Sequence, residues 1–248
     1  MKTIMNPASE VKNCDCLEYM KTVSDKWFDL AIVDPPYGIH VTKMSMCGGF
    51  GGRGDSTAKK LRNSRLRGAG KLKDRIINQM SCDWDFYPPT QEYFDELFRI
   101  TKNQIIWGGN YFNLPPSRCV VCWDKEQAFE NFSQVEIAWT SFDRPAKLFR
   151  YSNSGSSKDR SKKIHPTQKP VVLYHYLLKN FANKGDRIFD SHLGSGSSRI
   201  AAYKTGFDFY ATEIDEVYFN DQEERFNREC LGKVESKNGQ IIMQKSLF

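Results

Sequence analysis

The chain has 248 residues, 40% of them hydrophobic, which fits one large domain with a sizeable core. No apolar run approaches the ~20 residues of a membrane span, and the N-terminus MKTIMNPASE has no apolar stretch of signal-peptide length; a cytoplasmic protein without membrane partners is expected. The net charge of +6 is unevenly placed: Val41 to Met80 holds ten basic residues against Asp55 and Asp74, a net of +8, so the remainder is −2. A basic segment on a near-neutral body suggests a polyanionic partner such as nucleic acid. Seven cysteines, odd in number and sparse, argue against a disulfide framework and for reduced thiols. Cys14/Cys16 and Cys119/Cys122 lack the second pair or the histidines at ligand spacing that a zinc site needs, so no metal is expected.

In chain order, Leu17, Met20 and Val23 predict a short helix over 15–23, and DLAIV (Asp29 to Val33) a buried parallel strand. Met44 to Gly54 contains GGFGGRG, too glycine-rich for a regular element. Thr57 to Gln79 is basic, and 41–80 reads as an insertion between core elements. Tyr93, Phe94, Leu97, Phe98 and Ile100 recur at helical spacing after Thr90, a candidate N-cap. Strands follow at QIIW (104–107), 120–123 and 135–140. Residues 142–163 include a polar, Ser-rich loop. A helix is expected at 170–181, a strand at 186–190, a helix at 198–204, a strand at 209–213, a helix at 217–230 and a last edge strand at 241–243. Strands alternating with helices imply an α/β sandwich with a mostly parallel sheet, whose ligands bind beyond the strands' carboxyl ends. Those ends are Asp34, Gly108, Asp190 and Glu213.

Two stretches carry chemistry. RIFDSHLGSGSSRIAA (187–202) reads strand, acid, glycine loop, helix; such a loop lets a ligand approach the backbone, and the helix N-terminus adds positive potential. Glu213 ends the next strand, 19 residues after Gly194, where a carboxylate can accept both ribose hydroxyl protons of a nucleoside. Arg199 stands where a pyrophosphate-binding loop would have its third glycine. On its own the pattern fits a dinucleotide or S-adenosylmethionine. The second stretch is Asp34-Pro35-Pro36-Tyr37. Two prolines force an extended chain and remove two backbone donors. The Pro35 carbonyl and Asp34 then offer two acceptors beside the flat face of Tyr37, a set that suits a planar group bearing an amine. The plainer reading is a strand-ending turn with a packed tyrosine.

DPPY, followed downstream by HPTQKP (165–170), FDSHLGSGSS and ATEID, resembles the amino-group DNA methyltransferases that use S-adenosylmethionine, in the permuted β-type order with the catalytic motif ahead of the cofactor loop. The resemblance extends over 13–38, 84–142 and 164–220. It implies a Rossmann-like three-layer sandwich whose twisted sheet has about seven mostly parallel strands and one antiparallel edge strand. The whole chain, 1–248, is then one catalytic domain. Asp34, Pro35 and Tyr37 match the catalytic tetrapeptide, with Pro36 as rigid support. Cofactor contacts are expected from Asp15, Cys16, Asp34, Thr167, Lys169, Asp190, His192, Gly194, Ser195, Gly196, Glu213 and Asp215. The loop departs from the commoner D-P-F-x-G-S-G-T at Ser191, His192 and Ser197.

The resemblance further implies methyl transfer to an exocyclic nitrogen of a base flipped out of double-stranded DNA and stacked on Tyr37. Asp34 and the Pro35 carbonyl would accept the amine hydrogens, by positioning and electrostatics rather than covalent catalysis. Phosphate contacts are expected from Lys43, Arg53, Lys59, Lys60, Arg62, Arg65, Arg67, Lys71, Lys162 and Lys163, giving affinity rather than sequence reading. The short 142–163 loop takes the family's usual place for target recognition. Adenine N6 is the expected target because Asp leads the tetrapeptide; cytosine N4 is the alternative. An NAD-dependent oxidoreductase would account for the glycine loop and Glu213 but not for DPPY or HPTQKP, and the intact tetrapeptide weighs against a non-catalytic DNA-binding module. The family also allows a homodimer and a cognate restriction endonuclease, in a prokaryotic or phage setting.

Overall fold

The computed structural model describes residues 6–39, 87–127, 133–152, 163–165, 167–235 and 241–243. The basic insertion lies outside them, and with it Lys43, Arg53, Lys59, Lys60, Arg62, Arg65, Arg67 and Lys71; so does Lys162. The strands are β1 (Ser9–Asn13), β2 (Phe28–Val33), β3 (Thr101–Trp107), β4 (Val120–Asp124), β5 (Val135–Thr140), β6 (Lys147–Arg150), β7 (Arg187–Asp190), β8 (Asp208–Glu213), β9 (Lys233–Glu235) and β10 (Ile241–Met243). The helices are α1 (Cys16–Lys21), α2 (Gln91–Ile100), α3 (Val171–Phe181), α4 (Ser197–Thr205) and α5 (Glu216–Cys230), with a 3₁₀ turn at Gly109–Tyr111. Among the described residues no helix is long and apolar enough to cross a membrane.

One eight-stranded sheet runs β1-β8-β7-β2-β3-β5-β4-β6. Five neighbouring strands, β1 to β3 in that order, pair in parallel; β5 is antiparallel to both β3 and β4, and β6 is parallel to β4. The expected three-layer, mostly parallel α/β sandwich is therefore present, with two differences in detail. There are eight strands rather than about seven, and the antiparallel strand lies inside the sheet rather than at its edge. β6, within the expected 142–163 loop, forms one outer strand of the sheet, opposite β1. β1 was also unexpected: SEVKN alternates charged and small residues and is held by pairing with β8 rather than by an apolar core. The segment 241–243 is a strand, but it pairs with β9 in a separate ribbon.

The two faces of the sheet are covered by different helices. Tyr93, Phe94, Leu97 and Ile100 of α2 pack with Ala31 and Val33 of β2 and with Met20 of α1. Leu30 and Ile32 point the other way, toward Leu173, Leu177 and Leu178 of α3 and Ala201 and Ala202 of α4. This alternation along β2, buried on both faces, explains its unbroken apolar sequence. β2 and β7 are adjacent and parallel, with Leu30 opposite Ile188 and Ala31 opposite Phe189. From β2 the chain proceeds to β3 on one side, and from β7 to β8 on the other. A sheet opens a crevice at such a reversal, beyond the carboxyl ends. DPPY follows β2 and the glycine loop follows β7, so the order of strands alone sets the two motifs side by side.

Candidate active site

The cleft at this point has an internal volume of about 220 Å³. Asp34 and Pro36 line it from the β2 end, His192, Leu193, Gly194 and Ser195 from the β7 loop, and Glu213, Ile214 and Asp215 from the β8 end. Its outer wall is the strap before α3, with His165, Thr167, Gln168 and Lys169.

The glycine loop is organised from within. Asp190, 2% exposed, accepts hydrogen bonds from Ser198 Oγ at 2.6 Å and from the His192 backbone N–H at 3.1 Å. Burial lifts its carboxyl to about 7, with these two donors opposing the rise. These bonds tie it to the loop, and it does not line the cleft. Gly194 has φ +52° and sits beneath His165, and Gly196 has φ +73° as the N-cap of α4, with its Cα facing Gln222. Both conformations favour glycine. Glu213 reaches back across the loop: Oε2 accepts the Gly194 N–H at 2.7 Å and Oε1 the Asp215 N–H at 3.0 Å. Each oxygen keeps further acceptor capacity for a hydroxyl.

The structure sorts the remaining expected cofactor residues. Asp15 caps α1 by accepting from the Glu18 N–H at 3.0 Å, and it does not line the cleft. Asp215 lines the cleft and also caps α5, accepting from the Val217 and Tyr218 N–H groups. Cys16 Sγ lies 3.8 Å from His192 Nε2, while Ser191 Oγ joins His192 Nδ1 (2.8 Å) to the Tyr93 hydroxyl (2.6 Å). Burial pushes the Cys16 thiol up to about 12 and the His192 imidazole down to about 4, so both are neutral near pH 7. The His192 departure is thereby accommodated as a neutral ring in a polar chain. Thr167 holds His165, with its hydroxyl 3.1 Å from Nδ1. Burial pushes His165 down to about 3; its ring packs edge-on against Tyr218. His165, which opens HPTQKP, also lines the cleft.

At the end of β2 the tetrapeptide is tightly held. Tyr37 donates its hydroxyl to Asp34 Oδ1 at 2.6 Å, and burial first, then the Asp34 charge, keeps that phenol far above its ordinary value. Lys169 Nζ lies 2.5 Å from Asp34 Oδ2 and 3.1 Å from Glu136 Oε2. Lys169 is 5% exposed. Burial opposes its charge, but Asp34 and Glu136 together hold the ammonium above its usual value. Lys125, just past β4, pairs with the other oxygen of Glu136. Lys169, expected on the cofactor side, lines the cleft and also meets the Asp34 carboxylate.

Three neighbours of Tyr37 were missed in the sequence. Tyr111, 47% exposed, stacks on the Tyr37 ring at 5.0 Å and 17°. Gly108, at φ +70°, lies against the same ring so closely that a Cβ there would stand 2.2 Å from Tyr37 Cε1. Phe112 meets the ring edge-on at 6.1 Å. The signal was the run GGNYF directly after a buried strand. For Glu136 it was strand alternation, which puts this lone acid on the same face as buried Ala138 and Thr140.

Known proteins resemble this chain in sequence and in fold. Residues 122–224 match a family model described as DNA methylase, of the N6/N4 type. The chain is 21% identical over 252 residues to the type II methyltransferase M2.LlaDCHI of Lactococcus lactis subsp. cremoris, covering 87% of this chain and 88% of that protein. It is 20% identical to the type II methyltransferase M1.MboII of Moraxella bovis, covering 86% and 94%. Among solved structures, the cytosine-N4-specific PvuII DNA methyltransferase superposes with a TM-score of 0.56 at 12% identity, covering 89% of this chain and 87% of that one. TTHA0409 of Thermus thermophilus, complexed with S-adenosyl-L-methionine, gives 0.51 at 15% identity, covering 91% and 96%. These two likenesses concern the fold. In motif order along the chain and in the match over 122–224, this protein is similar to the amino DNA methyltransferases, whose target is N6 of adenine or N4 of cytosine.

Proposed function

We propose that the protein transfers a methyl group from S-adenosylmethionine to N6 of an adenine flipped out of double-stranded DNA. The observation that carries this reading is that Asp34 lines the same cleft as Glu213, Gly194 and the HPTQKP strap. The cofactor fits the donor set. Glu213 has acceptor capacity left on both oxygens for two vicinal hydroxyls, and Gly194 leaves the loop backbone open to close approach. Cys16, Thr167, His192, Ser195 and Asp215 complete the cofactor's surroundings, and Asp15, Asp190 and Gly196 support them through the caps and the loop. When bound, S-adenosylmethionine supplies an electrophilic methyl group.

The chain's own residues then act on the base. Asp34 and the Pro35 carbonyl accept the two amine hydrogens, which draws the nitrogen lone pair out of conjugation with the ring. Pro36 keeps that backbone rigid. Tyr37 supplies a stacking face once Tyr111, half exposed, swings aside. The basic 41–80 segment, with Lys162 and Lys163, grips phosphates and contributes salt-dependent affinity. Adenine is preferred because Asp heads the tetrapeptide. A cytoplasmic role in a prokaryotic or phage restriction–modification setting, with a homodimer or a cognate endonuclease as partners, is consistent with the type II relatives. The test is to incubate the protein with DNA and S-adenosylmethionine labelled in the methyl group, digest to nucleosides and locate the label. Label on N6-methyl-2′-deoxyadenosine supports the proposal, label on deoxycytidine moves the target to N4, and no label on diverse DNA refutes methyl transfer.

A further inference from the structure

Both oxygens of Asp34 are already engaged. Oδ1 accepts from Tyr37, and Oδ2 lies 2.5 Å from the Lys169 ammonium. A substrate amine needs one of these oxygens, and the charge-assisted Lys169 contact, about twice as strong as a neutral one, is the one that most reduces the carboxylate's capacity to accept from it. The inserted antiparallel strand β5 supplies the alternative. Glu136 reaches the same ammonium at 3.1 Å, and its Oε2 is buried with no aligned hydrogen bond among the described residues. Burial would raise the Glu136 carboxyl, but Lys169 first and then Lys125 hold it below its usual value. One ammonium thus contacts two carboxylates, over the faces of Tyr37 and Trp107.

We propose that Glu136 is a positioning residue for methyl transfer: it draws the Lys169 ammonium off Asp34 as the target base arrives, freeing Asp34 Oδ2 to accept an amine hydrogen. The inference rests on the methyltransferase reading above. The movement is local, because Lys169 already touches both acceptors and needs only a rotation at its terminal carbons. Lys125 opposes it by competing for Glu136.

The competing account, a purely structural charge cluster, makes a different prediction for the two neighbours of Lys169. If Glu136 draws Lys169 away, Glu136→Gln lowers kcat about tenfold or more, since a charge-assisted contact is lost. KM for DNA and the calorimetric Kd for S-adenosylmethionine stay within about twofold, and Glu136→Asp recovers part of kcat. Lys125→Met leaves Glu136 wholly to Lys169, so its kcat equals or exceeds wild type. A structural cluster instead loses kcat in both variants. The proposal is overturned if Glu136→Gln turns over like wild type, or if Lys125→Met loses kcat as much as Glu136→Gln does. Should Glu136→Gln fail to fold, Lys125→Met decides: wild-type or higher kcat upholds the role, and a tenfold fall overturns it. Wild-type protein that labels no base would instead sink the methyltransferase reading itself.

Discussion

Gly108→Ala tests whether the Tyr37 ring must sit where the structure holds it. The added Cβ would lie 2.2, 2.6 and 2.7 Å from three atoms of that ring. Ordinary contact begins near 3.4 Å, so the ring must retreat by about 1 Å. Two costs combine. Alanine at φ +70° is strained by about 1–2 kcal/mol, and overpacking beside a ring held by Tyr111 and Phe112 adds about 1–3 kcal/mol. A total near 3 kcal/mol corresponds to a fall in Tm of several degrees for a chain this long. Gly185→Ala is the internal control. Gly185 also has a positive φ, +91°, but nothing lies within 4 Å of its Cβ position, so it reports backbone strain alone. Activity separates the two variants further. Displacing Tyr37 by about 1 Å pulls its hydroxyl from Asp34, and such a misplacement can cost about a hundredfold in turnover. Urea unfolding measures stability, and transfer of labelled methyl groups to DNA measures activity. The reasoning fails if Gly108→Ala and Gly185→Ala lose equal stability and both keep wild-type turnover.

Other outcomes follow from the same geometry. Glu213→Gln sets an amide NH₂ against the Gly194 or Asp215 N–H, donor against donor; calorimetric affinity for S-adenosylmethionine should fall at least about tenfold, and an unchanged Kd would remove Glu213 from the cofactor site. His192 titrates near 4 in the folded chain, below its ordinary value near 6.5, because burial disfavours the imidazolium. The unfolded chain therefore binds more protons in between. Stability contributed by neutral His192 is present above pH 6.5 and is lost as pH falls toward 4, by about 3 kcal/mol at most. In His192→Phe, urea midpoints should decline less over that window; parallel pH profiles would refute the assignment. Deleting Gly48 to Arg75 should weaken DNA binding and flatten its salt dependence, and unchanged affinity would rule out phosphate contacts from that segment.

The motifs were legible because each carries its chemistry in contiguous residues. A strand that ends in Asp-Pro-Pro-Tyr already fixes two acceptors, a rigid backbone and a ring; Asp-Ser-His-Leu-Gly-Ser-Gly already makes a loop of glycines ahead of a helix. Apolar runs likewise revealed β2 and β3, since strands buried on both faces have little room for polar residues. β1 and β6 were hidden because their sequences are polar and their existence depends on pairing with β8 and β4. The partners of Tyr37 and Lys169 were hidden for a related reason. The run GGNYF and the lone acid of β5 do not by themselves say what Gly108, Tyr111 and Glu136 touch, and they reach Tyr37 and Lys169 only because β3 lies beside β2 in the sheet and β5 turns back beside β3. The sequence by itself determined which groups could do chemistry. Only the tertiary structure decided that Lys169 would bridge two carboxylates and that Tyr37 would lie on a glycine, because both are properties of strand order, and strand order is set by the burial of the whole sheet rather than by any one segment.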